Sequence, residues 1–180
     1  MEIVSIFGTR LFAFKYSDET EDEFSRLFNL WNDPEYLEEF FETNISDLQS
    51  GYWSNPSVVE AVLDTLRYAE HFEDILFELS EDNEDKHLNG LESIFRPLFD
   101  SSYRVLKFNK SKVRDNWLRL YALRIEKDVY IITGGAIKLT LKMQDREHTN
   151  IELSKLEKCK RFLLETGIVD VDGLIEEIES

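Results

Sequence analysis

The stretch WLRLYALRIEKDVYIITGGAIKLTLK, residues 117–142, decides the fold. It contains β-prone runs separated by very short sequences that favour turns. The three runs are residues 117–126, 129–133 and 136–142, and the turn sequences are Lys127-Asp128 and Gly134-Gly135. Two-residue connections join antiparallel neighbours, so the stretch predicts a β-meander. The middle run is apolar throughout, which indicates a central strand.

The last run alternates between apolar and polar side chains. Ile137, Leu139 and Leu141 are expected on one face, and Lys138 and Lys142 on the other. Four residues at about 3.3 Å each place the two lysines about 13 Å apart. Two cations at this spacing suit successive phosphates of a single nucleic-acid strand. The alternative is a polar face that serves only to keep the sheet hydrated.

The sequence before residue 117 predicts a β-hairpin followed by helices. Short β-prone runs at residues 3–7 and 11–16 flank Gly8-Thr9, and aromatic residues at helical spacing then predict an acidic helical segment. Ser57 and Glu60 form a capping-box signature that opens a long helix to about residue 79. A shorter helix is expected at residues 88–95, and residues 103–108 are compatible with a strand.

The sequence after residue 142 predicts helices. Thr149 and Glu152 have capping-box spacing and are expected to open a helix over residues 150–165, which Gly167 ends. Residues 171–178 are compatible with a last acidic helix. The aromatic set of the acidic segment is expected in the core rather than in a ligand cage. Its members are Phe24, Phe28, Trp31, Tyr36, Phe40 and Phe41.

These elements predict an α+β fold, with an antiparallel meander and an amino-terminal strand packed against helices on one face. A single domain is expected over residues 1–180. Within it, residues 17–54 form an acidic helical insertion, residues 57–165 the core, and residues 168–180 an acidic tail.

Charge is strongly segregated along the chain. Residues 104–161 contain 15 of the 21 Lys and Arg but only 7 of the 37 Asp and Glu, a local net charge of +8. The whole chain nevertheless carries a net charge of −16. A basic region attracts phosphate-rich partners, whereas acidic flanks repel them or cover the region.

The composition argues against several classes of protein. With 42% hydrophobic residues, the chain is too apolar for a disordered acidic protein. A single cysteine, Cys159, excludes an internal disulfide and a cysteine-based zinc site, and three scattered histidines lack metal-ligand spacing. We therefore expect no metal and no cofactor. We also expect a cytoplasmic protein, because neither a signal peptide nor a membrane span is apparent.

Cationic and titratable side chains of the meander region are the candidates for chemistry. Arg119 and Tyr121 share a strand face, and both residue types stack on unpaired bases. Arg124 and Arg146 add positive charge, and His148 adds an imidazole that can donate or accept a proton. For each of them the alternative is a solvated surface role. No hydrolase, P-loop or dinucleotide motif is present.

Residues 57–162 resemble toxins of the RelE/ParE superfamily, in particular the phage-derived, HigB-like branch. The resemblance lies in WLRLYALRIEKDVYIITGGAIKLTLKMQDREHTNIELSKLEKCKRF, residues 117–162, and in the upstream helices followed by Arg96-Pro97-Leu98. IKLTLK occupies the place of the family's lysine motif, with Leu139 where a second lysine is expected. The first strand of the pattern corresponds to residues 11–16.

The resemblance implies a toxin component of a type II toxin–antitoxin system that cleaves mRNA. A small antitoxin, of helix-turn-helix type, and RNA or the ribosome are the implied partners. Lys138 and Lys142 would hold the phosphate or act as base, and Tyr121 or His148 would supply a proton. Arg119, Arg124 or Arg146 would stabilise the phosphate charge. The alternative is a non-catalytic interaction protein of the same fold, whose acidic arms bind a protein partner or cover its basic sheet.

Overall fold

A computed structural model describes residues 1–81, 90–98, 102–106, 116–141 and 145–180. Within these residues, six strands form one sheet in the order β1-β2-β6-β5-β4-β3. The strands are β1 (Glu2–Phe7), β2 (Leu11–Lys15), β3 (Phe95–Pro97), β4 (Tyr103–Leu106), β5 (Leu118–Glu126) and β6 (Val129–Ile137). The helices are α1 (Glu23–Trp31), α2 (Pro34–Thr43), α3 (Ile45–Leu48), α4 (Val58–Ser80), α5 (Glu147–Thr166) and α6 (Val171–Glu179).

The predicted α+β fold is confirmed. β1 and β2 form the expected amino-terminal hairpin, and β5 and β6 form the expected antiparallel hairpin at the centre of the sheet. β4 pairs antiparallel with β5, and β3 with β4. Among the described strands, β2 and β6 are the one parallel pair, and this pairing places the first hairpin beside the last strand.

The turn predicted at Gly134-Gly135 is wrong, because both glycines lie inside β6. A β-carbon on Gly134 would stand 1.9 Å from Glu152 Oε2, and one on Gly135 would stand 2.7 Å from the carbonyl oxygen of Arg119. The glycines therefore permit close approach of α5 and of β5 to the strand. β6 ends at Ile137, so the described residues of the predicted third run, 136–142, do not form a separate strand.

Helices cover both faces of the sheet, which corrects the expectation of one covered face. α1, α2 and α4 pack on one face, around Trp31, Phe72 and Trp117. α5 and α6 contribute Leu156 and Leu174 to a second buried cluster on the other face. The apolar character of the central strand on both sides accounts for this arrangement, because each face needs a hydrophobic partner.

The predictions for helix ends have mixed outcomes. The capping box of Ser57 and Glu60 at the start of α4 is confirmed, with both reciprocal hydrogen bonds present. Within the described part of the predicted helix 88–95, one 3₁₀ turn at Leu91–Ser93 leads directly into β3. α5 begins three residues before the expected position, so the capping box of Thr149 and Glu152 is wrong and Glu152 is buried instead.

The acidic insertion contributes to the core of the protein. Phe24, Phe28, Trp31 and Phe41 are buried, as expected. The insertion is also tied to the sheet region by the indole of Trp53, which donates a hydrogen bond of 2.9 Å to the Leu139 carbonyl. Tyr36 and Phe40 are half-buried and line a cleft.

Candidate functional site

A cleft opens above the second half of β6, where α1 and α2 face α5. β2 pairs with β6 only at residues 130–132, so within the described part of the chain residues 133–137 have β5 on one side and no strand on the other. The cleft contains a cavity of about 270 Å³. An adjoining cavity of about 220 Å³ shares Glu19, Ile151 and Lys155 with it. The fold thus leaves part of a central strand facing an open space.

Side chains replace the missing strand along this part of β6. The Tyr16 hydroxyl donates to the Thr133 carbonyl at 2.7 Å, and Nε2 of His148 donates to the Ile137 carbonyl at 3.0 Å. Thr133 is the extra residue of a β-bulge, since Tyr121 pairs with Gly134 whereas Ala122 pairs with Ile132. Bulges of this kind redirect backbone groups beside functional sites.

Gly135 lies between these two hydrogen bonds, with its backbone directed into the cleft. Lys138 N donates to the Trp117 carbonyl on the β5 side, and the Ile137 carbonyl points to the opposite side. Because alternate residues of a strand direct their backbone groups the same way, Gly135 N–H and C=O point away from β5, as Ile137 does. Gly135 also lines the larger cavity. The cleft therefore presents the backbone donor and acceptor of Gly135, and by the same alternation the N–H of Ile137, whose carbonyl His148 already holds.

A buried charged cluster forms one wall of the cleft. Arg26 donates two hydrogen bonds to the Glu23 carboxylate, of 2.7 and 2.9 Å. Lys155 Nζ lies 3.0 Å from Glu23 Oε2 and 3.2 Å from Glu152 Oε1, so it bridges α1 and α5. Glu23 and Glu152 are 1% and 5% exposed. Two cations thus balance two carboxylates that water barely reaches.

Burial raises the pKa of Glu152 to about 7. The neighbouring ammonium of Lys155 lowers it in part, whereas the like charge of Glu23 raises it further. Oε2 of Glu152 has no hydrogen-bond partner among the described residues. A carboxyl group in this state holds a proton at neutral pH far more often than an exposed one, and it could donate that proton.

Other titratable groups nearby are held neutral. Burial raises the pKa of the Cys159 thiol to about 12, and the thiol lies 3.2 Å from the Tyr16 hydroxyl. Burial likewise raises the pKa of Tyr16 and of Tyr121. Neither the thiol nor the phenols are therefore activated as nucleophiles at neutral pH.

The predicted site residues of the meander region lie in different environments. Arg119 is buried, and its Nη1 donates to the carbonyls of Asn116 and Leu118, both at 2.7 Å. Tyr121 is also buried, and its hydroxyl has no hydrogen-bond partner within the described chain. Lys138 directly follows β6, and its ammonium donates to the Leu141 carbonyl at 2.6 Å. Lys142 lies outside the described residues.

The remaining predicted residues are each engaged by another element. Arg124 pairs with Glu92 at 3.0 Å. Arg146 binds both carboxylate oxygens of Asp47, at 2.7 and 2.5 Å. His148 lies edge-on to Phe40 at 5.4 Å between ring centroids and lines the larger cavity. Of the predicted site residues that the structure describes, His148 is the one that lies in the cleft wall.

The sequence patterns do not predict the charged cluster. Glu23 and Arg26 have ordinary helical spacing, and the spacing of Glu152 from Thr149 favours a capping role. The weak signal is a charged residue inside an apolar helical stripe, as Glu152 is between Ile151 and Leu156. Its partner Glu23 lies far away in sequence, so local patterns could not reveal the pair.

Comparisons of the chain with protein-family models, with curated proteins and with solved structures found no match. Over the part of the chain that the structure describes, no helix is long and apolar enough to cross a membrane. Over the same residues, no group of three His, Cys, Asp or Glu side chains is arranged to hold a metal ion. Function must therefore be argued from the cleft and from the basic region.

Proposed function

We propose that this chain is a RelE/ParE-like toxin component that acts on RNA. Part of the element order supports the proposal, because a first strand (β2), the long helix α4, the strands β5 and β6 and then α5 follow one another as the resemblance implies, whereas the lysine run begins where β6 ends. The observation that carries it is the position of Lys138, one residue beyond the cleft-lining Ile137, at the end of the central strand.

The chemistry of RNA cleavage distributes roles among these residues. A base must activate the ribose 2′-hydroxyl, cations must hold the phosphate, and an acid must protonate the leaving oxygen. In this proposal one of the two lysines, Lys138 or Lys142, accepts the proton of the 2′-hydroxyl and the other holds the phosphate, while His148 supplies the proton to the leaving oxygen from the cleft wall. Arg119 and Tyr121 are buried, so the proposal assigns them to supporting the sheet.

Induced expression of the wild type is expected to arrest bacterial growth, and Lys138→Ala combined with Lys142→Ala is expected to relieve the arrest. Loss of two phosphate-binding cations from a cleavage site should lower RNA cleavage by roughly 100-fold or more. Growth after induction and cleavage of cellular mRNA are the measurements.

Lys15→Ala combined with Lys127→Ala is the matched control. It removes the same charge at the end of β2 and in the exposed β5–β6 turn. If the wild type is expressed in folded form without affecting growth or mRNA, the toxin proposal is wrong. If both double variants relieve the arrest equally, the effect reflects net charge rather than a site.

A second candidate function is supported by contacts between the acidic insertion and the basic region. Asp47 of α3 holds Arg146, and Glu23 of α1 holds Lys155. In this candidate the protein is a non-catalytic interaction protein, and its insertion covers the basic end of the sheet. Because the insertion also supplies core aromatics, a single charge substitution tests the idea better than a deletion does.

Asp47→Asn is expected to tighten the binding of single-stranded RNA at low salt by roughly threefold to tenfold, because it frees one guanidinium for a phosphate. Fluorescence anisotropy with a labelled oligonucleotide measures this affinity. Glu39→Gln makes the same charge change at an exposed site of α2 and is expected to have a smaller effect. Equal effects of the two substitutions would contradict a specific cover over Arg146.

A further inference from the structure

The cleft above β6 has the chemistry of a site for a flat, uncharged ring. Its floor presents Gly135 N–H and C=O side by side. One wall carries the half-buried rings of Tyr36, Phe40 and His148, and Phe40 contacts both of the other rings at 6.3 and 5.4 Å between centroids. Aromatic walls of this kind stack on planar ligands, and paired backbone groups bind a complementary donor–acceptor edge.

The charges at the cleft disfavour an ionic ligand. The charged groups that line the cleft are of both signs, with Arg26 and Lys155 beside Glu19 and Glu152, so a ligand of either charge would meet a like charge as well as an opposite one. Both ionic classes would meet like charge inside a partly desolvated space, where repulsion is screened poorly. A neutral ligand with polar edges avoids both costs.

The dimensions of the open edge disfavour an added peptide strand. Among the described residues, the segment 133–137 of β6 has no strand on the side away from β5, and side chains already occupy the carbonyls at both ends of this five-residue segment. Strand addition depends on a row of main-chain hydrogen bonds, whereas one residue, Gly135, is left between the two side chains. One ring fits this opening better than a chain does.

We propose that the cleft between α1–α2 and α5 binds a single nucleobase. The base would stack against the wall formed by Tyr36, Phe40 and His148, and its donor–acceptor edge would pair with Gly135 N–H and C=O. This inference rests on the proposed action on RNA and deepens it, because it adds a base-binding site about one residue from Lys138. Every nucleobase has such an edge, so the identity of the base is an outcome of the experiment.

Titration with guanosine, adenosine, cytidine and uridine tests the inference. The wild type is expected to bind at least one of them with a Kd of roughly 1 mM or lower, as suits one stacked and hydrogen-bonded ring. Ile151→Trp places a large ring at the cleft mouth, where Ile151 is 49% exposed and lines both cavities. This substitution is expected to weaken binding at least about tenfold.

Leu164→Trp is the matched control, because it adds the same ring on α5 at a position that is 67% exposed and lies outside the cavity linings. It is expected to bind like the wild type. Tyr36→Ala is expected to weaken nucleoside binding, and Tyr36→Phe is expected to retain it. If Ile151→Trp does not fold, these two variants test the inference.

Three results would overturn the inference. The first is no nucleoside binding to the folded wild type at 10 mM, a limit set at about ten times the expected Kd. The second is unchanged binding in both Ile151→Trp and Tyr36→Ala, and the third is tight binding of an extended peptide in place of nucleosides. Its failure is distinguishable from failure of the toxin proposal. Growth arrest without nucleoside binding would contradict only the base-binding site. Nucleoside binding without growth arrest or mRNA cleavage would contradict only the toxin function.

Discussion

Gly135→Ala is expected to lower the free energy of unfolding by about 3 kcal/mol, at the upper end of the usual cost of overpacking a core. The added β-carbon would stand 2.7 Å from the Arg119 carbonyl oxygen, 2.9 Å from Leu27 Cδ1 and 3.1 Å from Trp31 Cη2. The first of these contacts is to the backbone of β5, so no side-chain rotation relieves it. Relief requires β5 and β6 to separate or α1 to move outward.

Urea denaturation measures the effect as a lower transition midpoint with an unchanged slope. Gly173→Ala in α6 is the control, because its β-carbon would lie 3.2 Å from the side-chain oxygen of Asp170 and alanine favours helix. We expect this control to change stability only slightly. If Gly135→Ala were as stable as the wild type, Gly135 would not be packed inside β6, and the tight turn expected from the sequence would regain its support.

Local patterns predicted the elements whose signals lie within a few residues. The start of α4 was correct because Ser57 and Glu60 satisfy each other's backbone groups across one turn. The β1–β2 hairpin and the end of α5 at Gly167 were predictable for the same reason. Gly167 adopts a left-handed backbone, with φ of 74°, which glycine tolerates without strain.

The glycine pair of β6 shows where this reasoning fails. Gly134-Gly135 is a strong turn signal in isolation, but glycine also serves where another group must approach the backbone closely. The groups that approach are Glu152 from α5 and the Arg119 carbonyl from β5. Distinguishing the two roles requires the packing of elements that are not adjacent in the sequence.

The cleft could not be predicted from the sequence, for a related reason. Its charged cluster joins Glu23 and Lys155, which are 132 residues apart. The predicted basic residues were identified by charge and strand alternation alone. Those patterns could not show that Arg119 would be buried or that Arg146 would be held by Asp47. His148 was named for its titration, and its place beside Phe40 depends on how α2 packs.

The free energy of unfolding of Glu152→Gln, relative to that of the wild type, is expected to increase as the pH rises. Burial raises the pKa of Glu152 from an ordinary 4.5 to about 7 in the folded protein. Between these values the folded state binds more protons than the unfolded state, so the contribution of Glu152 to stability falls as pH increases. Glutamine keeps the shape and does not titrate. The stability difference between variant and wild type should therefore shift by about 3 kcal/mol from pH 4 to pH 8.

Thermal or urea unfolding at several pH values measures this shift, and Glu157→Gln on the exposed side of α5 is the control for loss of one negative charge. Its stability difference from the wild type should stay nearly constant with pH, since surface charges contribute little. The neighbours Lys155, Glu23 and Arg26 are present in the wild type and in both variants. They therefore do not account for a difference between the pH dependence of Glu152→Gln and that of Glu157→Gln. A flat difference for Glu152→Gln would mean that the carboxyl is ionised and hydrated in solution. The wall between α1 and α5 would then be open to water, and the desolvated cleft proposed for a nucleobase would lose its physical basis.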